Sequence, residues 1–257
     1  MRYSIRLSYD GSEFSGWQIQ NNSISIQEML QKALSLSLGE DIQVTGAGRT
    51  DSGVNAVNYI AHFDTSRINM TDAAGIIYKI NAILPKSITV HSIDDVSEDF
   101  HARFGARYRE YRYFIHRKKD PFCRNYSYYC RYDLDIAKMK EAASLLLGTH
   151  DFKCFEKTGG SNMTSTCTVY EAELQTYTPD HVSILGYPAQ DGDFLVFRIR
   201  ADRFLRNMVR AIVGTLIKVG RGKMSVERVA EIIASGSRSD AGESVPGHAL
   251  FFNKVEY

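Results

Sequence analysis

Hydrophobic periodicity switches between two and roughly 3.6 residues along the chain, and the order of the switches strongly restricts the fold. Residues 3–9 alternate as a half-buried strand. After the Asp10-Gly11-Ser12 turn signal, Ile24 to Leu38 carries a helical apolar stripe ended by Gly39, with Ser23 or Ser25 as N-cap. Ser25 with Glu28 completes a capping-box pattern. A short strand is predicted from Ile42, a longer one over Val54–Phe63, a helix over Thr71–Asn81 and a strand over Ile88–Val96, giving β-α-β-β-α-β. The order returns after a linker near Ser97–Phe104. A strand over Arg107–His116 precedes an Asp133-capped helix ended by Gly148, strands over Thr166–Leu174 and Phe194–Ala201, helices over Phe204–Val219 and Ser225–Ala234, and a strand over Ala249–Tyr257. Two such units predict an α+β protein of two ferredoxin-like halves, residues 1–98 and 99–257.

The charge pattern narrows the partners. The net charge is only +1, but Arg103–Arg131 holds nine basic and two acidic residues, and Arg198–Lys223 eight basic and one acidic. Each stretch carries a net +7, and such local fields attract a polyanion whatever the total charge. The plainer reading is two solvated faces. The longest apolar run, Met208–Ile217, is too short to span a bilayer, and Met1–Ile5 has no leader-like pattern, so a soluble cytoplasmic protein is expected. Cys123, Cys130, Cys154 and Cys167 lack knuckle spacing and read as reduced thiols. His62, Asp64, His150 and Asp151 show no compact ligand spacing, so no metal is expected.

Three segments carry candidate chemistry. Gly46-Ala47-Gly48-Arg49-Thr50-Asp51-Ser52-Gly53 puts three glycines in eight residues between strands, implying a tight turn or close approach to a ligand. It lacks the following helix of a dinucleotide fingerprint and the Lys-Ser/Thr pair of a phosphate loop. A charged turn with a surface ion pair is the alternative. In Arg107–Tyr113, period-two geometry puts Arg107, Arg109, Tyr111 and Tyr113 on one face, suited to phosphates and a stacked base; structural tyrosines are the alternative. Arg203, Arg206 and Arg210, spaced i, i+3, i+7, form the basic side of an expected amphipathic helix, able to line a phosphate surface or to reach a buried carboxylate. Trp17 reads either as active-site wall or as packed indole.

These segments, with Gly16–Gln20, Phe100–Phe104, Tyr111–Tyr113, Gly148–Phe152 and Phe204–Arg210, resemble in order and spacing the tRNA pseudouridine synthase A family across essentially the whole chain. The resemblance implies a tRNA-uridine isomerase working without cofactor or metal, a homodimer, and a basic cleft where the two sheets meet. It implies Asp51 as the catalytic aspartate, Arg49 holding or flipping the target nucleotide, Tyr111 stacked on the uracil, and Arg210 as the basic partner of the aspartate. The family's usual targets are positions 38, 39 and 40 of the anticodon stem-loop. The chain departs from the pattern at Asn55, where the family carries histidine, at Ser165–Val169, which lacks an arginine, and at Ala249, which replaces a glycine. A single persuasive carboxylate in a tyrosine-rich setting favours rearrangement over hydrolysis, which ordinarily uses two. Non-catalytic RNA binding or RNA chaperoning is the alternative function, and a basic-faced structural adaptor a more distant one.

Overall fold

The computed structural model describes residues 1–68, 73–157 and 164–257. In chain order the elements are β1 (Arg2–Tyr9), α1 (Ile26–Leu38), β2 (Thr45–Gly46), β3 (Asn55–Asp64), α2 (Ala73–Ile83), β4 (Ile88–Val96) and β5 (Tyr108–His116). Then follow β6 (Tyr128–Tyr129), α3 (Ile136–Ser144), β7 (Gly148–Asp151), β8 (Thr166–Thr176), α4 (Asp180–Ser183), β9 (Phe194–Ala201), α5 (Met208–Gly220), α6 (Val226–Ser235) and β10 (Leu250–Glu256). They form two compact units, Met1–Tyr108 with Phe251–Tyr257, and Arg109–Leu250.

In the first unit β1 is flanked by antiparallel β3 and β4. Tyr3, Ile5, Leu7 and Tyr9 alternate inward, as their period predicts. β2 occupies the far side of β3 for only two pairs, Thr45↔His62 and Gly46↔Ala61. The chain then peels away into the glycine loop, and β10 takes the vacated edge in parallel at Phe251↔Asn55 and Phe252↔Ala56. The short length of β2 thus gives the loop its point of departure. Ser25 caps α1 by accepting from the Glu28 N–H, and Gly39 ends it in the left-handed region at φ 68°. Residues 71 and 72, the expected start of the second helix, lie outside the described residues.

In the second unit the sheet order is β5-β9-β8-β7, all antiparallel, with β6 parallel to β5. α3 packs against α5, α6 and β8, and α5 is buried over most of its length. Three expectations need correction. The third helix is capped by Asp135, which accepts from the Lys138 N–H, whereas Asp133 pairs with Arg117 at 3.2 Å. That helix ends at Ser144, and Gly148, at φ 98°, opens β7 instead. The basic helix starts at Met208 rather than Phe204, because Asn207 adopts φ 65° and interrupts the helical path. Arg203 and Arg206 therefore lie on the approach to α5, and only Arg210 lies on it. Among the described residues no helix is long and apolar enough to cross a membrane.

Candidate active site

The glycine loop is held by three neighbouring segments. At its start the Ala47 N–H donates to the Ile60 carbonyl at 2.8 Å. A Cβ on Gly46 would sit 2.3 Å from Tyr59 Oη and 2.5 Å from the Trp17 ring, so only glycine lets both rings pack beneath the chain. Tyr59 is fully buried, donates to the Gly48 carbonyl, and accepts from the Gly48 N–H at 3.2 Å. Trp17 is 2% exposed, with its ring centroid 4.2 Å from that of Tyr59. This single indole therefore underpins the loop.

Segment 11–17 braces the other end. Trp17 N–H donates to the Thr50 carbonyl at 3.3 Å, and Gly53 N–H and Ser52 Oγ both donate to the Phe14 carbonyl. Gly16, at φ 93°, passes so close that a Cβ would fall 2.2 Å from the Thr50 carbonyl oxygen. Thr50 Oγ1 lies 3.0 Å from Tyr9 Oη. Asp51 is half-buried between these fixed points, and the Val54 N–H donates to its backbone carbonyl. Arg49 is exposed, and its Nε donates to Gln18 Oε1 at 3.2 Å. Gln18 in turn donates to Gln27, which donates to the Val44 carbonyl. The relay gives the Arg49 side chain a preferred direction while leaving it on the surface. Asn55 is buried, and its Oδ1 accepts from the Gly11 N–H at 2.9 Å. The side chain at that departure from the family pattern thus ties the end of β1 to the loop.

In the second unit Tyr111 is buried on β5, and its ring meets Phe204 edge-on at 5.0 Å. Tyr113 is fully buried and donates to the Pro246 carbonyl at 3.0 Å. Burial pushes its phenol well above the ordinary range, while the Arg210 charge pulls the other way. Arg109 is also buried and donates to the Asp202 carbonyl at 2.7 Å. Within the expected phosphate-and-base face of β5, Arg109 and Tyr113 each direct a polar end to a backbone carbonyl. Arg203 is half-buried, with its backbone N–H on Asp202, and Arg206 is exposed.

Arg210 Nε donates to the Val245 carbonyl at 2.7 Å, and the Val245 N–H returns a bond to the Arg210 carbonyl. Segment 241–246 approaches α5 closely because both crossing points are glycine. A Cβ on Gly214 would lie 1.8 Å from the Glu243 oxygen, and one on Gly242 2.4 Å from the Thr215 nitrogen. Thr215 Oγ1 joins the crossing by accepting from Gly242 N–H at 2.7 Å and donating to the Ala211 carbonyl. Gly242 and Thr215 are not singled out by the sequence pattern. Their signal was a glycine within a helix, an incomplete clue without its partner segment.

Part of each basic stretch is neutralised locally. Glu110 pairs with Arg112 and Arg198, while Glu171 pairs with Arg198 and Arg200. The Arg221 guanidinium lies 3.6 Å from the Tyr132 ring centroid. Glu171 lies outside both stretches, so the +7 of the second overstates the charge left for a partner. The residues weighed for a metal have other bonds: His62 accepts from the Ala102 N–H, Asp64 pairs with Arg2, His150 bonds the Leu147 carbonyl and Asp151 accepts from Lys153 N–H.

The C-terminal part, residues 142–257, matches the family model described as tRNA pseudouridine synthase. Over 256 residues the chain is 46% identical to the tRNA pseudouridine synthase A of Bacteroides fragilis, covering all of this chain and 96% of that protein. Identity is 45% to its counterpart from Bacteroides thetaiotaomicron and 43% to that from Halalkalibacterium halodurans, covering 90% of each. The chain belongs to the tRNA pseudouridine synthase A family.

Proposed function

We propose that this protein converts uridine to pseudouridine in tRNA, at positions 38, 39 and 40 of the anticodon stem-loop. The observation that carries the reading is the loop Gly46–Gly53, whose backbone is fixed from below by Trp17 and Tyr59 and from the side by segment 11–17. A carboxylate on so constrained a backbone is preorganised, which is how an enzyme avoids orientational cost during reaction. In the proposal Asp51 acts at the sugar, by attack at C1′ or by removing the C2′ proton, as the N1–C1′ bond breaks. The uracil rotates and rejoins through C5. Tyr111 stacks on the base and assists loss of the C5 proton, and Arg210 supplies the positive charge that accompanies the aspartate.

Arg49 holds the flipped nucleotide, consistent with an exposed guanidinium steadied by Gln18. Arg203 and Arg206 contact phosphates. Trp17 serves the substrate through the loop it supports, since it is 2% exposed. The reaction is an intramolecular transfer and draws on no cofactor. A homodimer acting in the cytoplasm completes the proposal. Mapping pseudouridine in undermodified tRNA, with and without the protein, tests it. Pseudouridine confined to positions 38–40 supports the reading, whereas RNA binding with no pseudouridine favours a chaperone.

A further inference from the structure

In the second unit, apart from the residues of the proposed catalytic site, Asp120, Cys123 and His181 bring one ligand atom each to within 4.8 Å of one another. We propose that these three side chains form a zinc site that joins the segment after β5 to the α4 excursion between β8 and β9. Asp120 and Cys123 come from one turn, and His181 lies 61 positions beyond Asp120. His181 Nε2 is 2.7 Å from Asp120 Oδ2 and 4.0 Å from Cys123 Sγ.

Zn–S and Zn–N bonds of about 2.3 and 2.0 Å in a tetrahedron place sulfur and nitrogen about 3.5 Å apart, and nitrogen and oxygen about 3.3 Å apart. Both separations are reached by shifts of roughly half an ångström in side chains on loops and one short helix. Thiolate, imidazole and carboxylate together suit zinc, whereas magnesium and calcium prefer sets made of oxygen.

The surroundings favour a cation. The Asp120 side chain is 1% exposed and that of His181 16%. Asp120 Oδ1 accepts from the Phe122 N–H at 2.8 Å, which fixes the carboxylate and turns Oδ2 toward the other two ligands. The rings of Phe122, Tyr187 and Phe194 have centroids 5.3–5.9 Å from that of His181, and of these Phe194 is buried. Cys123 Sγ carries the one proton that a cation at this position displaces. Binding exchanges that proton for the metal: Zn²⁺ replaces the thiol hydrogen, one H⁺ leaves to solvent, and a water completes the tetrahedron. The site is independent of the proposed catalytic residues.

The experiment is titration of the metal-free full chain with Zn²⁺ and, separately, with Co²⁺. The expected result is one equivalent bound, release of about one proton per metal at neutral pH, and a thiolate-to-cobalt absorption band. Cys123→Ser removes the band and weakens zinc binding at least tenfold, and His181→Gln does the same for affinity. Circular dichroism confirms that the variants are folded. If His181→Gln does not fold, Cys123→Ser and the cobalt spectrum still decide. No stoichiometric binding, or binding undiminished in Cys123→Ser, overturns the proposal and leaves an Asp–His pair with a thiol donor.

Discussion

Gly46→Ala is the sharpest probe of how the loop is supported. The new Cβ would lie 2.3 Å from Tyr59 Oη and 2.5 and 2.6 Å from two atoms of the Trp17 ring, where ordinary contact begins near 3.4 Å. Neither ring has room to retreat. Tyr59 is fully buried against Phe252 and Tyr9, and Trp17 is 2% exposed. Overpacking of this kind costs about 1–3 kcal/mol. Displacing Tyr59 also weakens its two bonds to Gly48, adding about 1 kcal/mol. The total of about 2–4 kcal/mol corresponds to a fall of roughly 4–16 °C in melting temperature for a chain of this size.

Gly48→Ala is the internal control, since its Cβ would meet nothing within 4 Å. Its stability should stay within about 0.5 kcal/mol of the parent. Paired thermal and urea unfolding of the two variants is the assay. Equal stability of Gly46→Ala and Gly48→Ala would refute the claim that Trp17 and Tyr59 hold the loop from beneath.

Two further outcomes follow from buried polar groups. Burial, then the Arg2 and His101 charges, hold His62 down at about 4, with Asp64 acting oppositely, and its Nδ1 accepts from Ala102 N–H. The unfolded imidazole titrates near 6.5, so this contribution is complete above that pH and is lost as pH falls toward 4, by at most about 3 kcal/mol. Urea unfolding at pH 7 and pH 4.5 should therefore show a smaller stability difference in His62→Gln than in the parent; an equal difference contradicts the assignment. Thr215→Val strands the Gly242 N–H at the α5 crossing and should cost about 1–3 kcal/mol by chemical denaturation, while Thr215→Ser should retain most of the stability.

Legibility in the sequence depended on how local each determinant was. β4 and β9 match their expected bounds, because long alternation between turn signals needs no tertiary information. The Ser25 cap was readable for the same reason. The start of α5 was not, because Arg203–Asn207 carries a helical spacing that the backbone at Asn207 interrupts. Arg109 and Tyr113 share a strand face with Tyr111, and nothing local foretells that the Tyr113 ring ends on the Pro246 carbonyl. The Gly214–Gly242 crossing and the Asp120–Cys123–His181 cluster unite residues far apart in sequence, so spacing arguments fail for both. For the loop, glycine density pointed to a tight turn or a close approach to a ligand, and the structure shows rings and backbone of the first unit packed against it.

In the proposed function the braced loop presents Asp51 to a tRNA uridine. Single-turnover pseudouridine formation by Asp51→Asn, measured alongside tRNA affinity and unfolding, tests it most directly. The expected result is a loss of at least ~10³-fold in rate, about 4 kcal/mol of transition-state stabilisation, with affinity and stability nearly unchanged. A folded Asp51→Asn protein that forms pseudouridine at the parent rate would contradict it.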